Sequence, residues 1–97
     1  MNVAALINVE GEGRRLVFRC PGCKCSHGVP VDGSRGWSWN GDLEKPTLSP
    51  SILITYGRDP RPDRPQTCHS FVREGRIEYC GDCEHELAGK IVPLEPI

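Results

Sequence analysis

The sequence predicts a small, mainly β domain of short antiparallel strands and hairpins stapled by a zinc site, and three observations carry that expectation. The 97 residues include 11 glycines and 9 prolines, which cut the chain into short apolar segments separated by turn signals. No long apolar stripe of 3.6-residue period runs through it. Soft metal donors gather in three places: Cys20-Pro21-Gly22-Cys23-Lys24-Cys25-Ser26-His27, Cys68-His69 and Cys80-Gly81-Asp82-Cys83-Glu84-His85. A chain of this length buries only about 60 to 65% of its unfolded surface, so a metal staple would supplement a modest core. Residues 1–97 are read as one zinc-binding domain.

Asn2 to Glu10 and Arg14 to Arg19 are apolar-rich stretches around Gly11-Glu12-Gly13, the pattern of a hairpin that delivers Cys20 at its exit. Short strands follow at Gly28 to Val31, Gly36 to Trp39 and Ser51 to Tyr56, punctuated by Asp32-Gly33, Asn40-Gly41, Pro46 and Pro50. Arg58 to Gln66 is a proline-punctuated loop; a polyproline II path would align Arg58, Arg61 and Arg64 along one edge, although Asp59 and Asp63 partly cancel them. Cys68 to Cys80 carries the clearest hairpin signal. A two-residue turn at Glu74-Gly75 pairs Arg73 with Arg76 and Val72 with Ile77, which places His69 opposite Cys80 and brings Cys68, Cys80 and Cys83 into one region. Asp82 would cap a short helix from Cys83 to Ala88 ending at Gly89, and Lys90 to Leu94 closes as a strand.

Twelve basic and 13 acidic residues leave a formal charge of -1, so no global field draws nucleic acid or an anionic membrane. Met1 to Arg15 lacks a signal-peptide pattern, and no run approaches the roughly 20 apolar residues of a membrane span. The expectation is a cytoplasmic protein. A reducing compartment keeps thiols free and makes a CxxC pair a metal knuckle rather than a disulfide, and the βαβ context of a redox CxxC is missing.

Cys20-Pro-Gly-Cys23 presents two sulfurs to one ion across a tight turn. By spacing alone Cys80 and Cys83 form the second pair, but the intervening stretch is far longer than in a standard ribbon, so Cys68, His69 and His85 compete with them. A structural site needs four donors and the chain offers nine Cys and His side chains. The plainer reading makes the surplus core or supporting residues; the sharper one sets His27, His69, His85 and Asp82 beside the metal in a pocket for a substrate or second ion. Neither the zinc-deaminase signature nor HExxH is present, and no catalytic residue is assigned. Trp37 and Trp39 alternate onto one face, with Asn40, Asp42, Thr47, Ser49 and Ser51 supplying polar groups on turns. That arrangement suits a nucleobase, sugar or peptide, or simply core and turn chemistry.

The motifs CPGC…H, W-x-W-N-G-D, P-T-x-S-P-S, C-H-S-F-V, G-x-I-x-Y and D-C-x-H-x-L-A-G, running from about Phe18 to Leu94, resemble a family of small, mostly phage- and prophage-encoded zinc-binding proteins. The resemblance implies a phage origin and brings no activity with it. Its pattern includes Cys20, Cys23, His27, Cys68, His69, Asp82, Cys83 and His85, while Cys25 and Cys80 stand where other residue types are usual. It therefore implies Zn2+ held by Cys20, Cys23, Cys68 and Cys83, with His85 in reserve. The functional expectation is an accessory module that binds a host protein or a nucleotide through Trp39, Asn40, Asp42, His27, His69 and Asp82. The alternative is a metal-dependent enzyme acting on a nucleotide or another phosphorylated compound.

Overall fold

The computed structural model describes residues 1–33, 36–55 and 67–97. The described chain is mainly β, and every strand pairing in it is antiparallel. Strands β1 (Ala4–Val9), β2 (Gly13–Cys20) and β3 (Cys25–Pro30) form one sheet in that order. The short strands β4 (Ser38–Trp39) and β5 (Leu48–Ser49) pair with each other. Strands β6 (Ile52–Thr55), β7 (Thr67–Arg73), β8 (Arg76–Tyr79) and β9 (Ile91–Pro93) form a four-stranded meander.

Alternation along each strand decides what is buried. Leu16, Phe18 and Cys20 point inward from β2, Cys68, Ser70 and Val72 from β7, and Ile77 and Tyr79 from β8. Together with Val3, Ala4, Val29, Leu48, Ile52 and Leu94 they make a single core, whose Cys20, Cys23 and Cys68 sulfurs are part of it. Loop contacts tie the sheets together: Leu43 O accepts the Val3 and Ala4 N–H groups, and Pro46 O accepts Gly75 N–H at 3.0 Å.

The Glu74-Gly75 turn forms as the sequence predicts, with Val72 opposite Ile77 and Arg73 opposite Arg76. Glu74 and Gly75 both take positive φ, 49° and 77°, the geometry a two-residue hairpin turn requires. The N-terminal hairpin also forms, with Val9 opposite Gly13. The helix expected from Cys83 to Ala88 does not: turns take its place, closed by Ala88 N–H to His85 O at 3.2 Å and Lys90 N–H to Leu87 O at 3.0 Å. A helix of six residues is too short to hold itself, and it would splay Cys83 and His85, two positions apart, onto different faces. Here both turn toward the interior. The arginine-bearing loop from Arg58 to Gln66 lies outside the described residues, and among those described no helix is long and apolar enough to cross a membrane.

Candidate functional site

The β2–β3 turn carries Cys20 and Cys23, β7 carries Cys68, and the turn after β8 carries His85; their ligand atoms all lie within 4.8 Å of one another. Cys20 Sγ stands 3.9 Å from Cys68 Sγ, and Cys68 Sγ stands 3.5 Å from His85 Nε2. Three sulfurs and one imidazole in this arrangement can hold a metal ion with all four tetrahedral positions filled by protein. The knuckle is tightly shaped: Cys23 N–H donates to Cys20 Sγ at 3.4 Å, and Lys24 takes φ 59° to complete the turn. Gly22 is required at its place because a Cβ there would run into the His85 ring. Tyr79 braces the group from below. Its ring meets His85 edge-on at 4.4 Å, and its hydroxyl bonds Cys20 Sγ and Gly22 N–H, each at 3.0 Å.

The electrostatics of the group favour a cation. Hydrogen bonds from Cys23 and Cys68 push the Cys20 thiol far below its ordinary value, while the same sharing with Cys20, together with burial, pushes Cys68 far up. One negative charge is welcomed among the sulfurs and a second is refused. A divalent ion removes that conflict because it lets the sulfurs ionise together.

On the opposite face of the same two segments lies a second constellation. His69 Nε2 stands 3.1 Å from Ser51 Oγ, and His69 Nδ1 stands 3.2 Å from Asp82 Oδ2. A hydroxyl on one imidazole nitrogen and a carboxylate on the other is the geometry of a nucleophile, a general base and the group that orients it. Ser51 sits between β5 and β6, where Trp37 Nε1–H reaches its carbonyl at 3.4 Å. His69 projects from β7 with its side chain 28% exposed, and the Asp82 side chain is 58% exposed, so the constellation faces solvent.

Strand alternation links the two sites. Cys68 points in to the sulfur group and His69, its neighbour, points out to Ser51. Cys83, expected as a metal ligand, is placed between them rather than in the group of four: its Sγ accepts His69 N–H at 3.1 Å and donates to His69 O at 3.0 Å. That pair of bonds pins the turn after β8 to the backbone of His69, which sets Asp82 against the ring. His85, two residues on, is the side chain that reaches the sulfurs.

The structure brings His69 and Asp82 together and sets the other expected binding residues elsewhere. His27 is buried opposite Phe18 in the β2–β3 register, edge-on to its ring at 5.9 Å, and adds a hydrogen bond that favours the Cys20 thiolate. Asn40 Oδ1 accepts the Asp42 and Thr47 N–H groups, and Asp42 Oδ1 accepts those of Glu44 and Lys45, which pushes its carboxyl below the usual range. Trp39 Nε1–H closes the same turn on Asp42 O at 3.1 Å. These polar atoms are occupied in shaping the loop that precedes Ser51.

Beside the Ser51–His69–Asp82 group runs a groove of about 580 Å³, walled by Thr47 to Pro50 and floored by Phe71 and Ile91. Its lining includes Pro50, the chain neighbour of Ser51, and Phe71, whose ring stacks on His69 at 6.3 Å. Arg73 lies over the Phe71 ring at 4.4 Å and pairs with Glu78 at 3.0 Å.

Residues 2–80 match the family described as "Bacterial ubiquitination-like system serine protease (BubE)". The chain belongs to this family. Ser51 and His69 fall inside the span matched to BubE; Asp82 and His85 lie just beyond it. The BubE description does not carry the phage or prophage origin implied by the motifs. No curated protein and no solved structure matches the chain.

The pairing of Ser51 with His69 is the feature that reasoning from the sequence missed. Pro50-Ser51-Ile52 lacks the glycines of a nucleophile elbow. The available signal was indirect: the register counted from Glu74-Gly75 already puts His69 beside the turn bearing Asp82, and a histidine paired with a carboxylate invites a search for a hydroxyl on its other nitrogen.

Proposed function

We propose that this chain is a serine hydrolase that cleaves an acyl bond in a protein substrate of a ubiquitination-like system. The observation that carries the reading is the single imidazole of His69 bridging Ser51 Oγ and Asp82 Oδ2. In this reading Ser51 Oγ attacks the substrate carbonyl while its proton passes to His69 Nε2. Asp82 holds Nδ1–H and stabilises the imidazolium that forms. The proton then goes from Nε2 to the leaving group, the acyl group stays on Ser51, and water, deprotonated by the same nitrogen, releases it. The family's description as serine proteases supports the substrate class. The groove beside Pro50 and Phe71 supplies a place for the chain flanking the scissile bond.

The metal's part in this reading is structural. The donor set of Cys20, Cys23, Cys68 and His85 suits Zn2+, and four protein donors leave no open position for a substrate or an activated water. A nucleotide-directed enzyme draws less support: the groove mixes Arg73 and Arg76 with Glu74 and Glu78, which offers phosphate no net positive wall.

A fluorophosphonate probe tests the reading because an activated serine displaces its fluoride and becomes phosphonylated, whereas an ordinary serine hydroxyl reacts far more slowly. Mass spectrometry should locate the adduct on Ser51, and both Ser51→Ala and His69→Ala should lower labelling by about a thousandfold or more. An adduct on another serine, or undiminished labelling in His69→Ala, overturns it.

A further inference from the structure

The hydrolytic group has a neighbour that the reaction does not use. Cys80 lies directly across from His69, its N–H bonded to His69 O at 2.9 Å. Its thiol, a His69 ring nitrogen and an Asp82 carboxylate oxygen all lie within 4.8 Å of one another. We propose that His69, Cys80 and Asp82 form a second site, for a thiophilic divalent cation such as Zn2+, and that filling it switches the hydrolase off. The inhibitory half of this proposal rests on the reading of Ser51 and His69 given above; the metal-binding half does not.

Imidazole, thiolate and carboxylate are the three ligand types that Zn2+ takes, at bond lengths of about 2.0 to 2.3 Å, which sets donors roughly 3.5 Å apart around a tetrahedral ion. The three side chains therefore need to close by about an ångström. Asp82 is free to do so, since it is exposed and sits on a turn rather than in a strand. The site shares no ligand with the group formed by Cys20, Cys23, Cys68 and His85, and it lies at the surface instead of in the core. Three protein donors leave the fourth position to water or a solute, the open type of site.

Inhibition follows from the chemistry of one ring. The nitrogen that faces Asp82 is Nδ1. A cation on Nδ1 takes the carboxylate as its own ligand and leaves the proton of the neutral imidazole on Nε2. A protonated Nε2 cannot accept the proton of Ser51, so the nucleophile loses its base. Filling the site and activating Ser51 are mutually exclusive.

Two measurements test this. Protein carrying its interior metal is equilibrated against buffered Zn2+ and its metal content determined; the unaltered chain should hold one more ion than either Cys80→Ser or Cys80→Ala, whereas Cys25→Ser should retain the extra ion. Equal content in all four overturns the proposal. Fluorophosphonate labelling of Ser51 is then followed against Zn2+, each variant scaled to its own rate without added Zn2+. The unaltered chain and Cys25→Ser should lose at least tenfold as the second ion binds, and the Cys80 variants should need about tenfold or more additional Zn2+ for the same loss. Equal sensitivity of the Cys80 variants, or no sensitivity in the unaltered chain, overturns the switch. A failed hydrolase reading looks different, because Ser51 is then unlabelled even without Zn2+ while the difference in metal content still stands.

Discussion

His69 is held through its backbone on one side and used through its ring on the other. Cys83 grips its N–H and carbonyl, at 3.1 and 3.0 Å, and Ser51 and Asp82 flank its two nitrogens. This division gives Cys83 and His85 separable roles although they are two residues apart. His85→Ala should remove a metal ligand, lowering both metal content and the melting temperature. Cys83→Ser should keep the metal and instead slow Ser51 labelling, because the turn bearing Asp82 is no longer pinned to His69. Metal analysis and labelling rates on the same two preparations check this; loss of the ion in Cys83→Ser with retention in His85→Ala would restore the ligand set expected from the sequence.

Among the elements, the hairpins were legible because their determinants are local. Glu74-Gly75 and Gly11-Glu12-Gly13 each sit between apolar runs, and the register follows by counting outward. The turn from Cys83 to Gly89 was not legible as such, since its short apolar pattern suits a helical piece and only the pull of Cys83 and His85 toward the interior forbids one. The β2–β3 edge carries its own local tie: Asp32 accepts Arg14 N–H at 2.8 Å and Arg14 Nη2 at 2.9 Å, which lowers its carboxyl below the usual range. A carboxyl whose folded pKa is depressed stabilises the fold above its unfolded value, about 3.9, and loses that contribution as pH falls through the folded value. Asp32→Asn should therefore melt slightly lower than the unaltered chain near neutral pH, and the gap should close as pH drops below the carboxylate range. A gap that persists or widens in acid would show that the Arg14 contact is not its source. The effect is expected to be small because both side chains are well exposed, 48% and 37%.

Across the whole molecule, the Cys/His group and the Ser51–His69–Asp82 group share one framework. β7 supplies Cys68 inward and His69 outward, and the turn after β8 supplies His85 inward and Asp82 outward. In small zinc modules the apparent binding free energy is on the order of 10 kcal/mol, comparable to the entire stability of a domain this size. Stripping the metal with a strong chelator should therefore abolish the cooperative melt and, with it, Ser51 labelling, and Zn2+ should restore both. A metal-free chain that keeps its near-native circular dichroism and its labelling rate would show that the metal supports neither. The β character, the hairpin registers and a Cys/His set able to hold a metal could be read from the chain alone, because these follow from alternation, turn residues and ligand chemistry over short spans. Packing alone puts His85 in the four-donor group while Cys83 bonds the His69 backbone, and brings Ser51 to His69 across an 18-residue separation. Neither choice is encoded in spacing: each depends on which way a side chain points once two strands and a turn have packed together.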